Sequence, residues 1–200
     1  PYFTYLFSDG TTGLLHKNHG KTPVGVVVDP VNHLAAAIEE VGNGTKYKFA
    51  VEKYRSVPTS TVQVSTSDLT IDANKYLAQF ATSGYDETWN ASYTSSNVTG
   101  DKVKGNNPDF PAFYAAGRFR PSVALSGSLA SKKWFLPSQQ DYFHAYDLLG
   151  FAQDIMLIGS LTQRYRWYGY LFEKSFTDAG GKSFMPTEKD GYYWTSTAHS

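Results

Sequence analysis

The sequence predicts an α+β fold with mixed or antiparallel sheets and about three to four helices. Three observations carry this expectation. The first 70 residues hold short runs rich in Val, Tyr, Phe and Thr separated by Gly, Asn and Asp turns, the signature of strands. From 111 to 180 apolar residues recur at helical spacing, with recognisable start and stop residues. The chain then returns to an aromatic and β-branched segment at 192–197, which reads as a strand.

Taken in order, Tyr2 to Phe7 has strand propensity and ends at the turn Ser8-Asp9-Gly10. Lys21-Thr22-Pro23 leads into the continuous apolar run Val24 to Val28, a buried strand stopped by Asp29-Pro30. The Ala-rich stretch His33 to Val41 has helical propensity. Gly42-Asn43-Gly44 is a turn, and Lys46 to Val51 alternates like a half-buried strand. Thr59 to Thr70 reads as a loop or edge strand. A short helix is expected from Asp72 or Ala73 to Thr82, with Tyr76, Leu77 and Phe80 facing inward and Ser83-Gly84 closing it. The Ser-, Thr-, Asn- and Gly-rich stretch 85–107 reads as a long surface loop.

Pro111 suits the first turn of a helix carrying Phe113, Tyr114, Ala115 and Ala116 and limited by Gly117. After an irregular connection from Arg118 to Ser131, Pro137 and Ser138 mark another helix start. Pro137 has no amide hydrogen to donate, Ser138 can accept from the first helical amides, and Asp141 completes a near capping box. Tyr142, Tyr146 and Leu149 then form a stripe that ends at Gly150. A last helix is expected from Leu161 to Ala179, stopped by Gly180-Gly181, and the polar turn Pro186 to Gly191 precedes the final strand. Trp134 and Trp194 are expected in the core. With no repeat, heptad or low-complexity linker, 1–200 reads as a single domain: N-terminal strands 1–70, the loop 85–107, a helical part 111–180 and the strand 192–197.

Composition narrows the function classes. Eighteen basic residues balance eighteen acidic ones, which gives no field to steer nucleic acid, and no apolar run is long enough to insert in a membrane. The absence of cysteine removes disulfides, thiolate metal sites and a Cys nucleophile. The five histidines are scattered. His16 and His19 lie in a polar turn without a third ligand at diagnostic spacing, and no phosphate loop, nucleophile elbow or zinc-protease helix is present. The chain is therefore expected to be non-catalytic, with no cofactor and no metal.

Aromatic-polar surfaces remain. Trp89, Asn90 and Tyr93, in the long loop, form one candidate contact surface, the indole stacking on a sugar face and the amide fixing hydroxyls. The competing reading is that Trp89 anchors the loop to the core. Arg166, Trp167 and Tyr170, beside Arg164 on the last helix, form a second candidate, for which Arg stems lying over aromatic rings are the simpler account. Adjacent carboxylates such as Asp86 with Glu87, or Glu39 with Glu40, read as solvated charges.

The motifs in series carry a resemblance. Trp134-Phe135-Leu136-Pro137-Ser138 opening a helix, a later helix closed by Ala179-Gly180-Gly181, and Tyr193-Trp194-Thr195-Ser196-Thr197 resemble a large family of bacterial surface domains of unknown function with a C-type-lectin-like fold. Phe7-Ser8-Asp9-Gly10-Thr11, Gly20 to Val27, and Asp109-Phe110-Pro111-Ala112 resemble its N-terminal part. The resemblance implies a strand at 33–41 instead of a helix, and an extracellular or cell-surface location. Family members usually run on past the Tyr-Trp strand, so both ends of this chain look cut: a fragment is expected, or strands supplied by a partner. Formylglycine-generating enzymes share this broad fold but rely on cysteines, which are absent here. The calcium triplets of animal lectins are also missing, since Trp89-Asn90-Ala91 keeps only part of one.

The expectation is thus a non-catalytic, adhesin-type ligand-binding domain, as at the tip of a fimbria, whose partner is a glycan or surface protein. One alternative is a carbohydrate-active hydrolase with carboxylates brought together only in three dimensions. Another is an assembly module of a surface appendage, completed by a partner strand from another chain.

Overall fold

A computed structural model describes residues 3–64, 80–146, 148, 169–182 and 193–199. It has the expected α+β composition, with an antiparallel four-stranded sheet and four α-helices among the described residues. Its residues group into two compact units: 1–43, 120–132 and 143–192 in the first, and 44–119, 133–142 and 193–200 in the second.

The first unit is built on strands β1 (Tyr5–Phe7), β2 (Thr12–Gly13), β3 (Pro23–Asp29) and β4 (Leu34–Ala37), in the order β2-β1-β3-β4. Central β3 is buried at every position from Val24 to Asp29, as its unbroken apolar run requires. It pairs Tyr5 with Val26 on one side and Val26 with Ala36 on the other. Of the strand expected at 33–41, Leu34–Ala37 is β4 and the rest is turn, bend or irregular chain. Helical propensity favours this Ala-rich stretch in isolation, but the ladder to β3 outweighs it. Alanine also suits the site, because a Cβ on Gly25 would already lie 2.9 Å from the Ala36 carbonyl oxygen.

Helix α4 (Gly169–Asp178) sets Phe172 and Phe176 one turn apart over the buried Tyr5, Phe7, Val26, Val28 and Ile38. The two rings meet edge-on at 5.1 Å. Gly180 adopts φ +85° and the Gly181 amide donates to the Phe176 carbonyl at 2.9 Å, the left-handed stop read from Gly180-Gly181. The part of the expected helix before 169 lies outside the described residues.

The second unit carries helices α1 (Gly84–Trp89) and α2 (Pro111–Gly117), and α2 packs with Tyr54, Val98, Phe110 and Leu136 around its own Phe113. Tyr54 and Phe110 stack at 5.3 Å, and Phe110 meets Phe113 edge-on at 5.9 Å. Pro111 opens α2 as expected. The stretch read as a long loop is more ordered than that: it carries most of α1 and single 3₁₀ turns at Ala91–Tyr93 and Lys104–Asn106. Ser83, taken above as the end of a helix, instead starts one, its hydroxyl accepting from the Asp86 amide at 3.1 Å. Of the helix expected up to Thr82, residues through 79 lie outside the described residues, and 80–82 are not helical.

Helix α3 (Gln139–Tyr146) begins where Pro137-Ser138 placed it; its first four residues fall in the second unit and Phe143 onward in the first. Its capping box is reciprocal: Asp141 Oδ2 accepts from the Ser138 amide at 2.8 Å, and Ser138 Oγ accepts from the Asp141 amide at 3.2 Å. Leu149 and Gly150 lie outside the described residues.

Two expected strands are corrected. Lys46 to Val51 keeps its alternation of exposure, Tyr47 and Phe49 turning toward the core and Lys46 and Lys48 away from it, but it forms no strand. Its hydrogen bonds go to Asp109 and Ala112 singly instead of to a ladder. Residues 193–197 are likewise not a strand, because this segment bonds to the start of α3: the Ser196 amide donates to the Pro137 carbonyl at 2.8 Å, and Thr197 Oγ1 accepts from the Gln139 amide at 2.8 Å. Only beyond it does β6 (Ala198–His199) pair, in parallel, with β5 (Gln63–Val64).

Candidate functional site

The sequence-chosen residues have separate structural roles. Trp89 closes α1, and its indole Nε1 donates to the Trp134 carbonyl at 2.8 Å. One edge of its ring fills a slot between two glycines: a Cβ on Gly105 would lie 3.0 Å from the ring and one on Gly117 2.8 Å from it. The Lys133 ammonium stands 4.6 Å from the ring centroid. This is the geometry of an anchor, and it ties α1 to α2 and to the segment before α3. Asn90 is exposed, but its Oδ1 caps its own turn, accepting from the Ser92 amide at 3.1 Å and the Ser92 hydroxyl at 2.7 Å. Tyr93 is half-buried and its carbonyl receives the Thr61 amide at 3.0 Å. Arg166 and Trp167 lie outside the described residues, and Tyr170 belongs to α4.

Glu87, read from sequence as a solvated charge, is not one. It is 1% exposed and Lys104 is 0% exposed, with Lys104 Nζ 2.7 Å from Glu87 Oε2. Ser60 Oγ donates to the same carboxylate at 2.8 Å, and the Phe113 ring lies 5.2 Å from the ammonium. Burial holds the Lys104 ammonium below its ordinary range, while the Glu87 carboxylate opposes that shift. The nearby Lys102 ammonium is held by the carbonyls of Ser95, Ser96 and Val98. Both lysines therefore organise the 85–107 stretch internally.

A carboxylate–imidazole pair in the first unit had no local sequence signal. Buried Asp29, at the end of β3, accepts from the amides of Val31 and Asn32 at 3.0 Å each and from Asn32 Nδ2 at 2.7 Å. His144 of α3 brings Nδ1 within 2.7 Å of Asp29 Oδ2, a spacing that places the hydrogen on Nδ1. Burial opposes ionisation of Asp29, but the Asn32 donors, His144 and the Val31 amide outweigh it and hold the carboxyl below the usual range. The pair fastens the β3–β4 turn, at whose tip Val31 is exposed. The buried carboxylates Asp29, Glu87 and Asp141 are thus each engaged by internal donors. Among the described residues no group of three His, Asp or Glu side chains is placed to hold a metal ion.

The most exposed large aromatic among the described residues is one the sequence placed in the core. Trp194 is 52% exposed. Its Nε1 nevertheless donates to the Tyr47 carbonyl at 2.6 Å, and its ring lies 5.9 Å from Phe49, which in turn meets buried Phe113 edge-on at 5.2 Å. Neighbouring Tyr193 is 39% exposed. An indole fixed at its nitrogen and along one side, with half its surface open, is a rigid platform that can stack on a ligand without losing side-chain freedom.

Comparison with protein-family models, with curated proteins and with solved structures returns no match for this chain. Among the described residues no helix is long and apolar enough to cross a membrane.

Proposed function

We propose that this chain is a non-catalytic, cell-surface ligand-binding module of adhesin type with a C-type-lectin-like fold, whose ligand is a glycan or a surface protein. The motif series supports the fold assignment: Leu136-Pro137-Ser138 opens a capped helix, Ala179-Gly180-Gly181 closes another, and β3 is a central buried strand of an antiparallel sheet. The observation that carries the binding reading is Trp194, half-exposed yet fixed through its ring nitrogen to the Tyr47 carbonyl. A large aromatic held in that state has no packing reason to be open, and aromatic faces are what sugar rings and peptide side chains stack on.

The test is a broad glycan array, together with a panel of immobilised host-surface proteins, probed with the folded chain with and without calcium. Binding to a related set of ligands that is lost in Trp194→Ala and kept in Asn90→Ala is expected. A folded chain that binds nothing on either panel, or whose ligands survive Trp194→Ala, refutes the reading.

A further inference from the structure

The surroundings of Trp194 carry charge. The indole nitrogen is bonded to the carbonyl of Tyr47, so the ring lies alongside the segment that carries Lys46, Tyr47 and Lys48. Tyr47 turns inward to the Phe113 cluster. Lys46 and Lys48, on either side of it, are both exposed. Neither forms an ion pair with any described residue, whereas Lys53 in the following turn is matched by Asp109 at 2.6 Å. Their Cα atoms each lie about 3.8 Å from the Tyr47 Cα. A lysine stem spans roughly 6 Å, long enough for either ammonium to extend toward the rim of the indole. The half-open indole thus lies beside a segment carrying two exposed cations, in a chain of zero net charge.

We infer that the open face of Trp194, with Lys46 and Lys48 at its rim, binds an acidic glycan: a pyranose stacks on the indole and its carboxylate meets the lysine ammonium groups. The inference rests on the ligand-binding reading above and adds the ligand's chemical class. A neutral sugar would use the ring alone. A uronic-acid sugar uses the ring and both charges, and its carboxylate discriminates against anionic proteins by geometry, since only the sugar brings an apolar ring face and an acid on one rigid frame.

The experiment is calorimetric titration of the folded chain with oligogalacturonate and with its carboxyl-reduced, neutral counterpart. Oligogalacturonate is expected to bind at least tenfold more tightly than the neutral chain, with affinity falling as salt rises from 0.05 to 0.5 M, conditions chosen to span about a threefold change in screening length. The Lys46→Gln/Lys48→Gln double variant, altered only at exposed side chains, should lose roughly 3- to 10-fold in affinity for the acid and nothing for the neutral oligosaccharide. Trp194→Phe, which keeps a ring but not the Tyr47 bond, should weaken both. Equal binding of acid and neutral forms, or an unchanged double variant, overturns the acidic-ligand inference and leaves the binding module standing. A chain that binds neither oligosaccharide but binds ligands on the array through Trp194 has the same meaning. A chain that binds nothing in any format overturns both.

Discussion

Replacing Lys104 by Met tests the buried pair more sharply than any other change. Lys104 and Glu87 are fully removed from solvent and meet at 2.7 Å, with Ser60 Oγ as the further donor to the carboxylate. Met fills a similar volume but leaves the Glu87 carboxylate buried with a single hydroxyl partner. Breaking a buried ion pair from one side costs about 3–5 kcal/mol, which is roughly 10²- to 10³·⁵-fold in the folding constant. Replacing both members with apolar side chains, as in Glu87→Leu/Lys104→Met, leaves no orphan. Ser60 Oγ retains the Tyr93 carbonyl at 3.2 Å as acceptor and the Val62 amide as donor. The double variant should therefore fall within about 1 kcal/mol of the parent or exceed its stability. The assay is urea unfolding followed by tryptophan fluorescence, since Trp89, Trp134 and Trp194 all belong to the second unit. The quantity read is the coupling energy from the complete double-mutant cycle. A Lys104→Met loss below about 1 kcal/mol, or a double variant as unstable as the sum of the singles, would refute the assignment of a desolvated, mutually dependent pair.

Two further predictions test the joints of the fold. A Cβ on Gly84 would lie 2.3 Å from the Leu136 carbonyl oxygen and 2.7 Å from Asp141 Oδ2, so Gly84→Ala should lose about 1–3 kcal/mol in the same unfolding assay despite its gain in helix propensity; a neutral result contradicts the close approach. Because the folded Asp29 carboxyl is held below its ordinary range, its stabilising contribution is present above about pH 4 and is lost as pH falls through the folded value. The stability difference between the parent and Asp29→Asn should shrink across that acid limb; a difference independent of pH contradicts it.

The sequence disclosed features whose cause is local. Ser138 and Asp141 cap each other within one turn, Pro111 suits a first helical position wherever it lies, and the apolar run of β3 needs only burial on both faces. Ambiguity arose where one signal has two meanings: Ser83-Gly84 can end a helix or begin one, and the choice depends on whether the Ser83 hydroxyl finds the Asp86 amide. Long-range relations left no trace. Asn32 and His144 are separated by 112 positions, and the buried partner of Glu87 sits 17 positions away in a segment rich in turn residues. Trp194 was misplaced because aromatic and β-branched neighbours mark a segment that packs, without saying which ring has a face left over.

The slot around Trp89 bears on how the sequence can change over time. Indole, Gly105 and Gly117 occupy one volume, contributed by three separate stretches of chain. Enlarging either glycine evicts the ring, and shrinking the ring leaves a void that a methyl group at Gly105 or Gly117 would then partly fill. Substitutions at the three positions are therefore coupled in sign, each harmful alone and tolerated in company. Homologous sequences that keep this arrangement should vary at 89, 105 and 117 as a set, a pattern of concerted drift that would identify the slot without any structure.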